Sequence, residues 1–128
     1  TQASNADPEA KAFPEYMGVR FGAKFAVCSK DPGGKEIAEL VKCADGAGNI
    51  IFSSCNAHLF RGQLALAAAL AEKGVPMTVA ALRNPYDLPL MPENAALLAA
   101  FDYSRDSLAA LADVFSGGDC CGVMPAAL

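Results

Sequence analysis

Short apolar runs alternate along the chain with stretches whose hydrophobic positions repeat at helical spacing. The runs Lys24-Phe25-Ala26-Val27-Cys28-Ser29, Asn49-Ile50-Ile51-Phe52-Ser53-Ser54 and Val75 to Leu82 are strand-length, and turn residues such as Asp31-Pro32-Gly33-Gly34 close the first of them. A fourth run, Cys121 to Ala126, ends the chain and holds Pro125, which suits a strand end or an edge. Between them Ile37, Leu40, Val41 and Ala44 mark one amphipathic helix, and Arg61 to Lys73, rich in Ala and Leu, predicts a second with protein on both sides. Glycines stand where these helices would stop, at Gly46 and Gly74.

The pattern predicts a short helix over Glu93 to Ala100 and a small extended piece at Phe101-Asp102-Tyr103. Ser104 then reads as an N-cap with Asp106 in the first turn; Leu108, Leu111, Ala112 and Phe115 form the buried face, and Gly117-Gly118 the stop. Residues Thr1 to Pro14 are polar and without periodicity, so residues 1–23 read as an N-terminal arm or linker and 24–128 as the domain. Strand and helix alternating at short spacing predict an α/β fold: a three-layer α/β/α sandwich around a mostly parallel sheet of about five strands, flavodoxin-like in layout.

Composition sharpens this reading. With 53% hydrophobic and 19% charged residues, much of the chain has to be buried on two faces, as in a parallel sheet. At 128 residues it has the size of one domain, too short for a (β/α)8 barrel of roughly 200 residues or more. A net charge of −4 and the lack of any Lys/Arg-rich run argue against nucleic acid or an anionic membrane as partners. No apolar run reaches the roughly 18 residues of a membrane span. Five scattered cysteines read as thiols, which favours a reducing compartment such as the cytoplasm, though the chain does not begin with Met and a secreted or periplasmic origin stays open.

Ligands of open α/β sheets favour the crevice beyond the carboxyl ends of the strands. Two loops fall there, Ser54-Cys55-Asn56-Ala57-His58 and Arg83-Asn84-Pro85-Tyr86-Asp87, with Gln63 at the start of the helix after the first. Asn56, His58, Gln63, Arg83, Asn84, Tyr86 and Asp87 are therefore the candidates for contact with a ligand or a neighbouring domain. The same residue types also tie down turns, since Asn and Asp bond nearby backbone and Arg pairs with carboxylates. His58 is the only histidine, so a nucleophilic centre would have to be built around it, with Cys55 three residues upstream. Asp87, Glu93 and Asp102 are the carboxylates nearest these loops, and no spacing requires two of them to meet as a glycosidase pair does. Pro32-Gly33-Gly34-Lys35 matches neither the P-loop nor the dinucleotide fingerprint, and Cys120-Cys121 lack metal-site spacing, so no cofactor and no metal is expected.

The segment Val79-Ala80-Ala81-Leu82-Arg83-Asn84-Pro85-Tyr86-Asp87-Leu88, followed by Ser107 to Gly117 and Gly122-Val123-Met124-Pro125, resembles the C-terminal α/β domain of family 3 glycoside hydrolases, the β-N-acetylglucosaminidase branch above all. Arg83 to Asp87 match that family's Arg-Ser/Asn-Pro-Tyr-Asp pattern, and Asn56 and Gln63 stand where it usually has the same types. The usual Asn-Pro-x-Gly-Lys-Leu-Pro ending is here Asp119-Cys120-Cys121-Gly122-Val123-Met124-Pro125, without the basic residue. The resemblance implies that the catalytic residues lie on a separate barrel domain, that this barrel is the partner, and that none of the seven candidates is catalytic. It also admits carbohydrate as a ligand. The rival readings are a free-standing flavodoxin-like module that binds a sugar or nucleotide at the two loops, and a small hydrolase built on Cys55 and His58.

Overall fold

A computed structural model describes residues 8–102 and 104–117. Three strands, β1 (Ile50–Ser54), β2 (Met77–Ala81) and β3 (Ala96–Ala99), lie in the order β1-β2-β3 and are all parallel. The register sets Phe52 beside Val79 and Val79 beside Leu97. Four α-helices, α1 (Pro8–Phe21), α2 (Gly34–Cys43), α3 (Arg61–Ala71) and α4 (Arg105–Phe115), and a 3-10 helix over Pro85–Leu90 complete the described elements.

Alternation along the strands divides the core in two. Ile50, Phe52, Met77, Val79 and Ala81 face α2, α3 and the 3-10 helix, where Ile37, Leu40, Leu66, Leu70 and Leu88 close over them. Ala80 and Leu82 point the other way, with Ile51, into a second cluster built by Phe13 and Met17 of α1 and Leu108, Leu111 and Ala112 of α4. The sheet is thus covered on both faces, the expected three-layer arrangement. Phe52, Val79, Leu66 and Leu82 are fully buried, and each such side chain contributes about 1.5–3 kcal/mol relative to exposure.

The central strands, α2, α3 and α4 form where periodicity predicts them, within a residue or three at the ends. α4 begins as expected: the Ser104 hydroxyl accepts from the amide of Ser107 at 3.4 Å. Asp102 adds a second layer to this cap, accepting from the Ser104 amide and the Ser107 hydroxyl. After α3 the chain turns through Gly74 at φ +71°, a left-handed conformation that costs a side-chain-bearing residue about 1–2 kcal/mol.

Four expectations differ from the structure. The run Lys24 to Ser29 is not a ladder strand; only Cys28 makes a bridge, and the sheet among the described residues has three strands. The last expected strand, Cys121 to Ala126, lies outside the described residues. Glu93 to Ala100 is not a helix: Pro92 to Ala95 form a turn and Ala96–Ala99 pair with β2. The Ala-Leu-Leu-Ala sequence is a good helix former, but backbone bonds offered by the open edge of β2 outweigh a preference of a few tenths of a kcal/mol per residue. Phe101, expected to be extended, sits at φ +60° and ends that strand.

The fourth difference concerns the N-terminal arm. From Pro8 the chain is helical, and Phe13 and Met17, one turn apart on α1, are 2% and 6% exposed in the second cluster. Pro14 sits inside this helix, where it removes one backbone bond, and burial of its neighbour Phe13 offsets that loss. Arg20, in the last turn, reaches α4 by pairing with Asp113 at 2.6 Å. A cation at the carboxyl end of one helix and a carboxylate on the next hold an exposed contact of modest worth.

Candidate functional site

The two polar loops meet at the carboxyl ends of β1 and β2, as the sheet's topology requires. Ser54 is the last residue of β1, and its carbonyl accepts from the amide of Leu82, which carries the chain from β2 into the second loop. There Asn84 caps the 3-10 helix, its side-chain oxygen accepting from the Tyr86 amide at 3.2 Å. Pro85 takes the first helical position, where a missing N–H costs nothing and the fixed φ helps. This local folding aims Asp87 inward.

Asp87 is the centre of the cluster and only 1% exposed. Its Oδ2 accepts from the Ser54 hydroxyl at 2.8 Å. Its Oδ1 accepts from the His58 amide at 2.9 Å and lies 2.8 Å from His58 Nδ1. A carboxylate oxygen accepts, so Nδ1 is the donor in this contact. The imidazole side chain is 27% exposed, and the Tyr86 ring stands edge-on to it with centroids 6.2 Å apart. Tyr86 itself is 56% exposed.

The amides hold the loops to one another. Asn84 Nδ2 donates to Asn56 Oδ1 at 2.7 Å, and Asn56 sits at φ +56°, a conformation its short polar side chain tolerates. Gln63 is fully buried and satisfied on both sides. Its Oε1 accepts from the Cys55 amide at 3.1 Å, while Nε2 donates to the carbonyls of Lys30 and Cys55 at 2.9 and 3.0 Å. It therefore clamps the Lys30 loop to the loop after β1. Beside it Gly62 lets the start of α3 approach that loop: a Cβ there would lie 2.4 Å from the Pro32 carbonyl oxygen. Asp31 accepts from the Gly62 amide at 2.7 Å, and the Lys30 ammonium lies over the Phe60 ring.

Of the seven predicted residues, the structure brings Asn56, His58, Asn84, Tyr86 and Asp87 into one cluster. Gln63 adjoins it as an internal clamp, and Arg83 lies exposed at the end of β2. Sequence reasoning did not single out Ser54, whose hydroxyl completes the Asp87 contacts. A serine as the last residue of an apolar strand, directly before a polar loop, was the available signal.

The Ser54 hydroxyl is spent on the carboxylate rather than on the imidazole, and Cys55 is 3% exposed. Glu93 is exposed, and Asp102 caps α4. No group of three or more His, Cys, Asp or Glu among the described residues could hold a metal ion. Nor is any described helix long and apolar enough to cross a membrane. A cleft of about 970 Å3 opens at the opposite, amino end of β1, with Phe13, Phe21, Phe25, Ile50 and Leu70 in its lining and none of the predicted residues. Burial pushes the nearby Cys28 thiol up to about 11, with the Glu36 carboxylate adding to the shift.

The fold has a solved counterpart in a family 3 glycoside hydrolase β-N-acetylglucosaminidase from Paenibacillus sp. str. FPU-7, matched at a TM-score of 0.70 and 23% identity. The match covers 91% of this chain and 25% of that one. The chain has the fold of one part of that enzyme. It spans about a quarter of the length of the glycoside hydrolase chain it matches. No protein-family model matches the sequence, and no curated protein matches it significantly.

Proposed function

We propose that this chain is the non-catalytic α/β domain of a family 3 glycoside hydrolase, packed against a barrel that carries the chemistry. The observation that carries this reading is the asymmetry of the structural match: nearly all of this fold accounts for only a quarter of a β-N-acetylglucosaminidase chain. The Asp87 cluster fits a supporting role. Its carboxylate is engaged on both oxygens by Ser54 and His58, as a carboxylate that ties two loops together would be.

In this reading the loops Ser54 to His58 and Arg83 to Asp87 form a rigid face turned toward the mouth of the barrel. Exposed Leu59 and Leu90 give that face apolar area to bury, as contacts between domains of one chain do. The sugar cleaved is a β-linked N-acetylglucosamine or a related β-glycoside. An antibody raised against this chain tests the reading by immunoblot of the cells that produce it. The expected band lies several-fold above the 13.2 kDa of the chain; a band at 13.2 kDa alone contradicts the reading and favours a free-standing binding module.

A further inference from the structure

We infer that His58, Tyr86 and Asn56 form a subsite for one pyranose ring, held in place by the buried Asp87. The inference rests on the family 3 reading for its choice of sugar, but its geometry belongs to this chain. Asp87 takes the His58 backbone amide and Nδ1 on one oxygen and Ser54 on the other, so the imidazole is held in one orientation. Nε2 is then the ring nitrogen that Asp87 does not engage, on a side chain 27% exposed. A hydroxyl, which can both donate and accept, is the partner it suits.

Tyr86 supplies the second element. Its ring and the imidazole are T-shaped to each other, the residue is more than half exposed, and its backbone is pinned by the Asn84 cap. An exposed aromatic ring beside an imidazole held in one orientation matches a pyranose, whose axial C–H groups pack on a ring while its equatorial hydroxyls bond outward. Asn56 supplies the third. Its Oδ1 is occupied by Asn84, which leaves its own N–H groups for an acceptor such as an acetamido carbonyl. A nucleotide fits less well, since the cluster centres on a carboxylate and the chain carries a net charge of −4.

The purified chain, labelled with 13C and 15N, is titrated with the β-1,4-linked disaccharide of N-acetylglucosamine while the His58 and Tyr86 ring resonances are followed by NMR. Both rings are expected to shift together, saturably, with a dissociation constant on the order of millimolar. Tyr86→Ala should weaken the affinity roughly five- to tenfold and Tyr86→Trp restore it, because only the aromatic face is required. Unmoved ring resonances up to the solubility of the sugar overturn the subsite. So do shifts confined to the cleft at the other end of β1, equal shifts with glycerol, or a response to adenosine monophosphate but not to the sugar. The titration is read on this chain by itself, so a failed subsite and a failed family 3 assignment, which the immunoblot reports, are told apart.

Discussion

Replacing Asp87 with Ala removes the acceptor around which the loop ends of β1 and β2 are organised. The Ser54 hydroxyl is fully buried and the His58 amide is partly so, and a buried donor left without a partner costs about 1–3 kcal/mol. The His58 ring, 27% exposed, can turn to water and adds less. Relief from burying the carboxylate offsets part of the loss, so the expected total is about 3 kcal/mol. That is a large share of the roughly 5–15 kcal/mol by which a domain is stable. Asp87→Asn should cost only about 1 kcal/mol, because the amide oxygen still accepts from His58 and the Ser54 hydroxyl can rotate to accept from the new N–H group. Urea denaturation followed by far-ultraviolet circular dichroism, with the slope unchanged, measures both. A loss below about 0.5 kcal/mol for Asp87→Ala, or equal losses for Ala and Asn, would refute the claim that three donors depend on this carboxylate.

Phe13→Ala should destabilise the chain by about 3–5 kcal/mol in the same assay, whereas a side chain on a loose arm would cost almost nothing. Gly62→Ala should cost about 2–3 kcal/mol, since its Cβ would press on the Pro32 backbone, and Gly33→Ala, with open space around it, should not carry that steric penalty. The Cys28 thiol ionises near 9.0 when unfolded and near 11 when folded. Its neutral form is thus favoured by folding, so the stabilisation is full below pH 9 and falls as the pH rises from 9 to 11, by about 2–3 kcal/mol. Comparing denaturation midpoints of the parent and Cys28→Ala across that range checks it: the variant should lose less stability.

Local pattern carried most of the fold. Phe52, Val79 and Leu66 lie in runs whose period and length leave little choice, and the Ser104 cap is readable because its geometry depends on neighbouring residues alone. β3 was not legible, since Ala96–Ala99 have the composition of a helix and become a strand only through the edge of β2, a partner from elsewhere in the chain. α1 was hidden by Pro14 and by flanking polar residues, although Phe13 and Met17 keep helical spacing. At the site, topology predicted which two loops converge. What the sequence did not reveal is that Asp87 turns inward to bind Ser54 and His58, because that depends on the 3-10 turn started by Asn84 and Pro85.

The most direct test of a supporting rather than catalytic domain is hydrolysis of a chromogenic β-N-acetylglucosaminide by the purified 128-residue chain. The account predicts release of chromophore no faster than in buffer, with the fold intact by circular dichroism. Turnover that rises with protein concentration and disappears in Asp87→Asn or His58→Gln would contradict it, by placing a working reactive centre within these residues.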